Sequence, residues 1–216
     1  MDKTFDQSDD SEPGPERLIS DPERRKLLLA ATSVAGGTAL ATASIPFIAS
    51  MNPSERARAA GAPLKVDFAN LAPGMQTTVE WRGKPVWILR RTDAMLKSLR
   101  DPRHLAKLAD PESNVKSQQP AYAQNNNRSI KAEHLIVVSL CTHLGCIPTF
   151  RPEVADKGLS ADWDGGYFCP CHGSKFDLAG RVYRNVPAPT NLVIPPHRYL
   201  GETTVVIGEN PGGDKV

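Results

Sequence analysis

A surplus of charge of either sign is missing: 26 Lys and Arg stand against 24 Asp and Glu, for a formal net charge of +2. That leaves no general basic footprint for gripping nucleic acid, so none is expected as a partner. Apolar residues are too few, at 40%, for a polytopic membrane protein, and 216 residues are too few for a large multidomain enzyme. No internal repeat occurs at solenoid spacing. Cysteine is absent except in two short boxes between positions 141 and 171, so whatever thiol chemistry the chain performs is gathered in one place.

Charge is spread unevenly. Residues 1–26 hold eight acids and five bases, a net of −3, and read as a mobile acidic tail. That is the wrong composition for a mitochondrial or chloroplast transit peptide. The next 25 residues, Leu27 to Met51, carry no charge. As a helix they would cover about 37 Å, more than the roughly 30 Å of a hydrocarbon core. One transmembrane helix is predicted over 27–51, modest in hydrophobicity and kinked or ended at Pro46. Directly before it, Arg24-Arg25-Lys26 resembles a bacterial twin-arginine export signal, a route for already folded proteins. Competing readings are simple positive-inside anchoring and a signal peptide cleaved near Ala57-Arg58-Ala59, the latter disfavoured by the length of the uncharged stretch. An anchored amino terminus would lie in the cytoplasm.

Residues 52–63 are small and polar, with Pro53 and Pro63 near the ends, and predict a linker able to act as a hinge. From Leu64 to the carboxyl terminus, β-branched and aromatic runs alternate with turn signals, including 76–81, 85–89, 135–140, 167–169 and 203–207, so the head is mainly β. Thr92 to Asp110 has helical features, and the Asn/Gln/Ser-rich stretch from Pro111 to Ser129 reads as an exposed loop. His104, His134 and His197 read as ordinary surface or packing residues, and Trp81, Trp87 and Trp163 as packing.

The chemistry sits in Cys141-Thr142-His143-Leu144-Gly145-Cys146 and Cys169-Pro170-Cys171-His172-Gly173-Ser174. Each box offers one Cys/His pair, Cys141 with His143 and Cys169 with His172, and leaves one cysteine over at what looks like a matching place. Two thiolates and two imidazoles suit either a tetrahedral zinc or a mixed-ligand iron–sulfur cluster. Zinc would more naturally take all four thiolates or the wider histidine spacing of finger sites. The leftover pair, brought face to face, is able to form a disulfide, which needs an oxidising compartment.

The two boxes, 22 residues apart, resemble those of the Rieske iron–sulfur proteins of cytochrome bc complexes (ubiquinol-cytochrome c reductase), and the likeness extends from anchor to carboxyl terminus. It implies a Rieske-type antiparallel β-sandwich head over 64–216, with a cluster-binding subdomain at about 138–190. Cys141 and Cys169 would hold the inner iron of one 2Fe-2S cluster, His143 and His172 the outer iron, and Cys146 and Cys171 a disulfide. Neutral imidazoles in place of two thiolates make the cluster a readier electron acceptor, suited to a quinol donor. His172 above all, with His143, would take a proton from ubiquinol. The electron would pass to a cytochrome c-type haem, with the head moving on its linker.

The implied partners are a cytochrome b subunit, a cytochrome c-type subunit, ubiquinol and membrane lipid, in a homodimeric complex. The implied location is the bacterial inner membrane, single-pass, with the head in the periplasm. Gly145 and Gly173 would let backbone amides approach the cluster sulfurs, and Ser174 would donate to a bridging sulfide. Two positions depart from the family pattern: Phe176 replaces a frequent tyrosine donor, and Val186 replaces the first glycine of the proline loop Val186-Pro187-Ala188-Pro189. Rival readings are the small Rieske subunit of an arsenite-oxidase-type enzyme and a membrane-tethered module with a structural zinc or disulfide site.

Overall fold

A computed structural model of the chain describes residues 21–54 and 61–213. The acidic tail before Asp21, the Ala57-Arg58-Ala59 site and the central part of the linker, 55–60, lie outside the described residues. The chain divides into two units, 1–55 and 56–216.

Among the described residues the first unit is one helix, α1 (Pro22–Ser50). Asp21 caps it, accepting the N–H of Glu23 at 3.0 Å and of Arg24 at 3.4 Å, with Pro22 in the first turn where its missing donor costs nothing. The helix thus starts five residues before the uncharged stretch, and Arg24, Arg25 and Lys26 belong to its first turns rather than to the tail. It also continues through Pro46 to Ser50 instead of ending there. Its many small polar residues are self-satisfied: Thr32, Thr38, Thr42 and Ser44 each donate to the carbonyl four residues back at 2.8 Å. No hydroxyl of these four is left needing water, which suits an apolar surrounding. The helix is long and apolar enough to cross a membrane.

The second unit is mainly β, with nine short strands in three antiparallel sheets among the described residues. Strands β1 (Leu64–Asp67), β9 (Thr204–Ile207) and β8 (His197–Tyr199) form the first, in the order β1-β9-β8. Strands β2 (Gln76–Trp81), β3 (Lys84–Arg90) and β4 (His134–Val138) form the second. Strands β5 (Thr149–Arg151), β6 (Gly166–Phe168) and β7 (Lys175–Asp177) form the third.

The period-2 geometry of strands explains how these layers join. On β3 and β4, Val86, Ile88, Ile136 and Val138 pack with Phe68, Val205 and Ile207. The alternate residues Trp87, Leu89, Leu135 and Val137 pack with Tyr167, Phe176, Cys141 and Cys169. The middle sheet is therefore buried on both faces, and its second face is the floor of the cysteine boxes.

The helical region after β3 is split by Pro102. Thr92 caps α2 (Asp93–Ser98) and Asp101 caps α3 (Pro102–Leu105). The stretch 111–129 is not simply an exposed loop: Ser113, Gln119, Arg128 and Ser129 are buried. Arg128 is fully enclosed, and its guanidinium donates to the carbonyls of Gln118, Ala179, Gly180 and Leu192 and to Gln119 Oε1.

Candidate metal centre

Both boxes fold into the same turn. The Cys141 N–H donates to Cys146 O at 2.7 Å and the Gly145 N–H to Cys141 O at 2.9 Å. The Cys169 N–H donates to Ser174 O at 2.8 Å and the Gly173 N–H to Cys169 O at 2.9 Å. Gly145 and Gly173 occupy the same turn position at φ +81° and +80°, a region that costs a side-chain-bearing residue strain. Their own N–H groups are spent on these carbonyls, so each glycine's structural task here is to close the turn. The first box joins β4 to β5; the second is the closed end of the β6–β7 hairpin, whose register pairs Gly166 with Asp177, Tyr167 with Phe176 and Phe168 with Lys175.

This shared turn places Cys141 opposite Cys169 in sequence alignment of the boxes, but it does not put the leftover cysteines at matching places. Cys146 closes its turn where Ser174 closes the other, whereas Cys171 occupies the position of His143. They are nevertheless joined: Cys146 and Cys171 form a disulfide with Cα atoms 6.7 Å apart, locking one box to the other.

Cys141 and Cys169 remain free thiols, 3% and 2% exposed. Burial raises the Cys169 pKa, and the neighbouring Cys141 thiol raises it further, so a bound cation would favour the Cys169 thiolate. The His143 and His172 rings lie 4.8 Å apart and perpendicular; His143 is half-buried and His172 exposed. The sulfurs of Cys146, Cys169 and Cys171 also lie within 4.8 Å of one another, but two of the three are consumed by the disulfide, so that trio is not a ligand set.

Ser174 is fully buried, and its Oγ accepts the Ala188 N–H at 3.0 Å. Its hydroxyl proton has no protein acceptor among the described residues, leaving it free to donate to a sulfide. Two buried sulfurs, two more exposed imidazoles and one spare buried donor fit a mixed-ligand 2Fe-2S cluster. Phe176 is completely buried in the same core cluster as both free thiols. Val186 packs partly against that cluster, and the proline loop is pinned from both boxes, at Ala188 by Ser174 and at Thr190, whose carbonyl accepts the Thr142 hydroxyl at 2.7 Å. Thr142 was passed over in the sequence, although a polar side chain inside a ligand box is itself a signal.

The three remaining histidines are all buried. His134 and His197 serve packing, stacked on or edged against Tyr199 and Tyr122. His104 is not ordinary: both of its ring nitrogens meet carboxylates, Nδ1 facing Asp164 at 2.9 Å and Nε2 facing Asp177 at 3.1 Å.

Comparison with known proteins agrees with this geometry. A family model described as "Rieske [2Fe-2S] domain" matches residues 65–196, and one described as "Ubiquitinol-cytochrome C reductase Fe-S subunit TAT signal" matches residues 19–54. The ubiquinol-cytochrome c reductase iron-sulfur subunit of Allochromatium vinosum is 57% identical over 191 residues, covering 88% of this chain and 90% of that one. The corresponding subunit of Blastochloris viridis is 40% identical over 185 residues, covering 86% and 92%. With a Rieske domain over most of the head, an export-signal match over the helix and relatives aligned nearly end to end, the chain belongs to the Rieske iron–sulfur subunits of ubiquinol-cytochrome c reductase, whose cofactor is a 2Fe-2S cluster.

Proposed function

We propose that this chain carries one electron at a time from ubiquinol to a cytochrome c-type haem, with Cys141, Cys169, His143 and His172 holding its cluster. The observation that carries the reading is the pairing of two buried thiols with two imidazoles that meet edge-on at 4.8 Å, in two boxes clamped by the Cys146–Cys171 disulfide. Once bound, the cluster supplies a one-electron acceptor at a potential far above that of all-cysteine ferredoxins.

The protein's own groups do the rest. The exposed His172 presents the ring nitrogen not used for iron to a quinol hydroxyl and takes its proton there, with the half-buried His143 beside it. Leu144 and Ile147, 71% and 56% exposed, put an apolar rim next to these imidazoles, suited to a quinol pocket on a partner subunit and to excluding water from it. Ser174 would donate its hydroxyl proton to a cluster sulfide, favouring the more negative, reduced state. The disulfide and the doubly pinned proline loop keep the turns in register while the head changes partners.

The partners in this reading are a cytochrome b subunit and a cytochrome c subunit in a homodimeric complex, with α1 in lipid and the head on the periplasmic side of a bacterial inner membrane. Segment 52–63 serves as the hinge. Membership of the ubiquinol-cytochrome c reductase subunits disfavours the arsenite-oxidase and structural-zinc alternatives. Ubiquinol added to the purified complex should reduce the cluster by one electron per head, and a head that ignores quinol contradicts the function. Shortening 52–63 should slow cytochrome c reduction without altering the cluster spectrum; unchanged turnover removes the hinge.

A further inference from the structure

His104 lies 60 residues before Asp164 and 73 before Asp177, yet its side chain, 3% exposed, bridges the two carboxylates. Asp164 precedes β6 by two residues and Asp177 ends β7, and Gly166 pairs with Asp177. Both acids therefore stand at the open end of the β6–β7 hairpin, while Cys169 and His172 stand on its closed end. At roughly 3.4 Å per residue, three-residue legs put the root only about 10 Å from the loop.

We propose that His104 is a positioning residue for the electron-transfer site: an imidazolium that pins both legs of this hairpin at the root and so fixes the loop presenting Cys169 and His172. The proposal rests on the assignment of those two residues as cluster ligands.

Donor counting supports the charged ring. A neutral imidazole has one N–H, and between two carboxylates its bare nitrogen would face an oxygen lone pair; only the imidazolium donates to both. Asp177 does not supply the missing proton. Its Oδ2 also accepts Arg181 Nε at 2.7 Å, and its Oδ1 accepts the N–H groups of Ala179 at 2.9 Å and Arg181 at 2.7 Å. Burial opposes the charge on Asp177, but Arg181 and then His104 hold its carboxyl well below the usual range. Asp164 Oδ2 likewise accepts Lys107 Nζ at 2.7 Å. The remaining neighbours are the Asp101–Arg103 pair on the same helix and the Tyr183 ring, edge-on at 5.8 Å.

The hairpin has no slack with which to absorb movement at its root. A Cβ on Gly166 would collide with the Phe176 carbonyl, and the Tyr167 and Phe176 side chains are locked in the core. Burial disfavours the charged His104 ring, but its hydrogen bonds to Asp177 and Asp164 outweigh that and raise its pKa. The pin is therefore complete below about 6.5, the ordinary histidine value, and is lost as pH rises through the raised one.

The test uses the full chain loaded with its cluster. Nitrogen NMR with labelled histidine should show both His104 nitrogens protonated, with a titration midpoint above 6.5, and Asp164→Asn should lower that midpoint. Amide exchange over 164–177, corrected for intrinsic pH effects, should quicken as pH passes the midpoint while β3 and β4 stay protected. In His104→Gln it should be roughly ten- to a hundredfold faster at pH 6, the factor for losing one charge-assisted hydrogen bond, and should lose its pH step. A singly protonated His104 below pH 6.5, a midpoint indifferent to Asp164→Asn, or hairpin exchange that ignores pH overturns the positioning role. A wild-type protein without the cluster's resonance would instead overturn the ligand assignment beneath it.

Discussion

Phe176 has no hydroxyl to offer and is fully buried in the cluster of side chains that includes Cys141 and Cys169, the two thiols proposed as ligands. A donor aimed at a ligating sulfur stabilises the reduced state, and a hydrogen bond worth about 1 kcal/mol more in that state raises a one-electron potential by roughly 40 mV. Redox titration of Phe176→Tyr should show a rise of that order; a potential that stays or falls refutes it. The four proposed ligands were legible in the sequence because the chemistry compresses them into two six-residue windows. The positions of the leftover cysteines were less so, since Cys146 and Cys171 pair from unequal places in the shared turn. His104 was not legible at all: a lone histidine shows nothing until folding brings Asp164 and Asp177 to it across 60 and 73 residues.

The decisive element is the β6–β7 hairpin, only three residues per leg. Gly166 carries φ +152°, and an added Cβ would run into the Phe176 carbonyl and lie 2.9 Å from the Asp177 Cα. Neither neighbour can yield, because both are ladder backbone. Gly166→Ala should cost on the order of 4 kcal/mol or more and leave the head unable to retain its cluster, measured as thermal unfolding and iron content. A variant that melts and binds iron like the wild type would show that this approach is not needed. Runs of β-branched and aromatic residues between turn signals exposed β2, β3, β4, β6 and β9 to sequence reading, whereas β5 and β7 are too short to stand out and β8 carries polar side chains. Segment 111–129 misled for a different reason. Its Asn, Gln and Ser content looks solvated, but Gln119 and Ser129 are buried and spend their polar groups on Arg128 and Arg91.

At the scale of the molecule, two chemistries require different compartments: cluster insertion needs reducing conditions, and the Cys146–Cys171 disulfide needs oxidising ones. A head folded around its cluster first and exported afterwards would meet both demands, and the export-signal match over 19–54 fits that order. Changing Arg24 and Arg25 to Lys should leave cluster-loaded head on the cytoplasmic side of the membrane, assayed by protease protection in spheroplasts; normal export would remove this order of events. In the proposed site Cys141, Cys169, His143 and His172 give one iron pair mixed sulfur and nitrogen ligation. Electron paramagnetic resonance of the ascorbate-reduced protein reads that ligation. A rhombic 2Fe-2S signal with two nitrogen couplings, one lost for each of His143 and His172 replaced, is the expected result. A silent spectrum, or a signal free of nitrogen coupling, would contradict it.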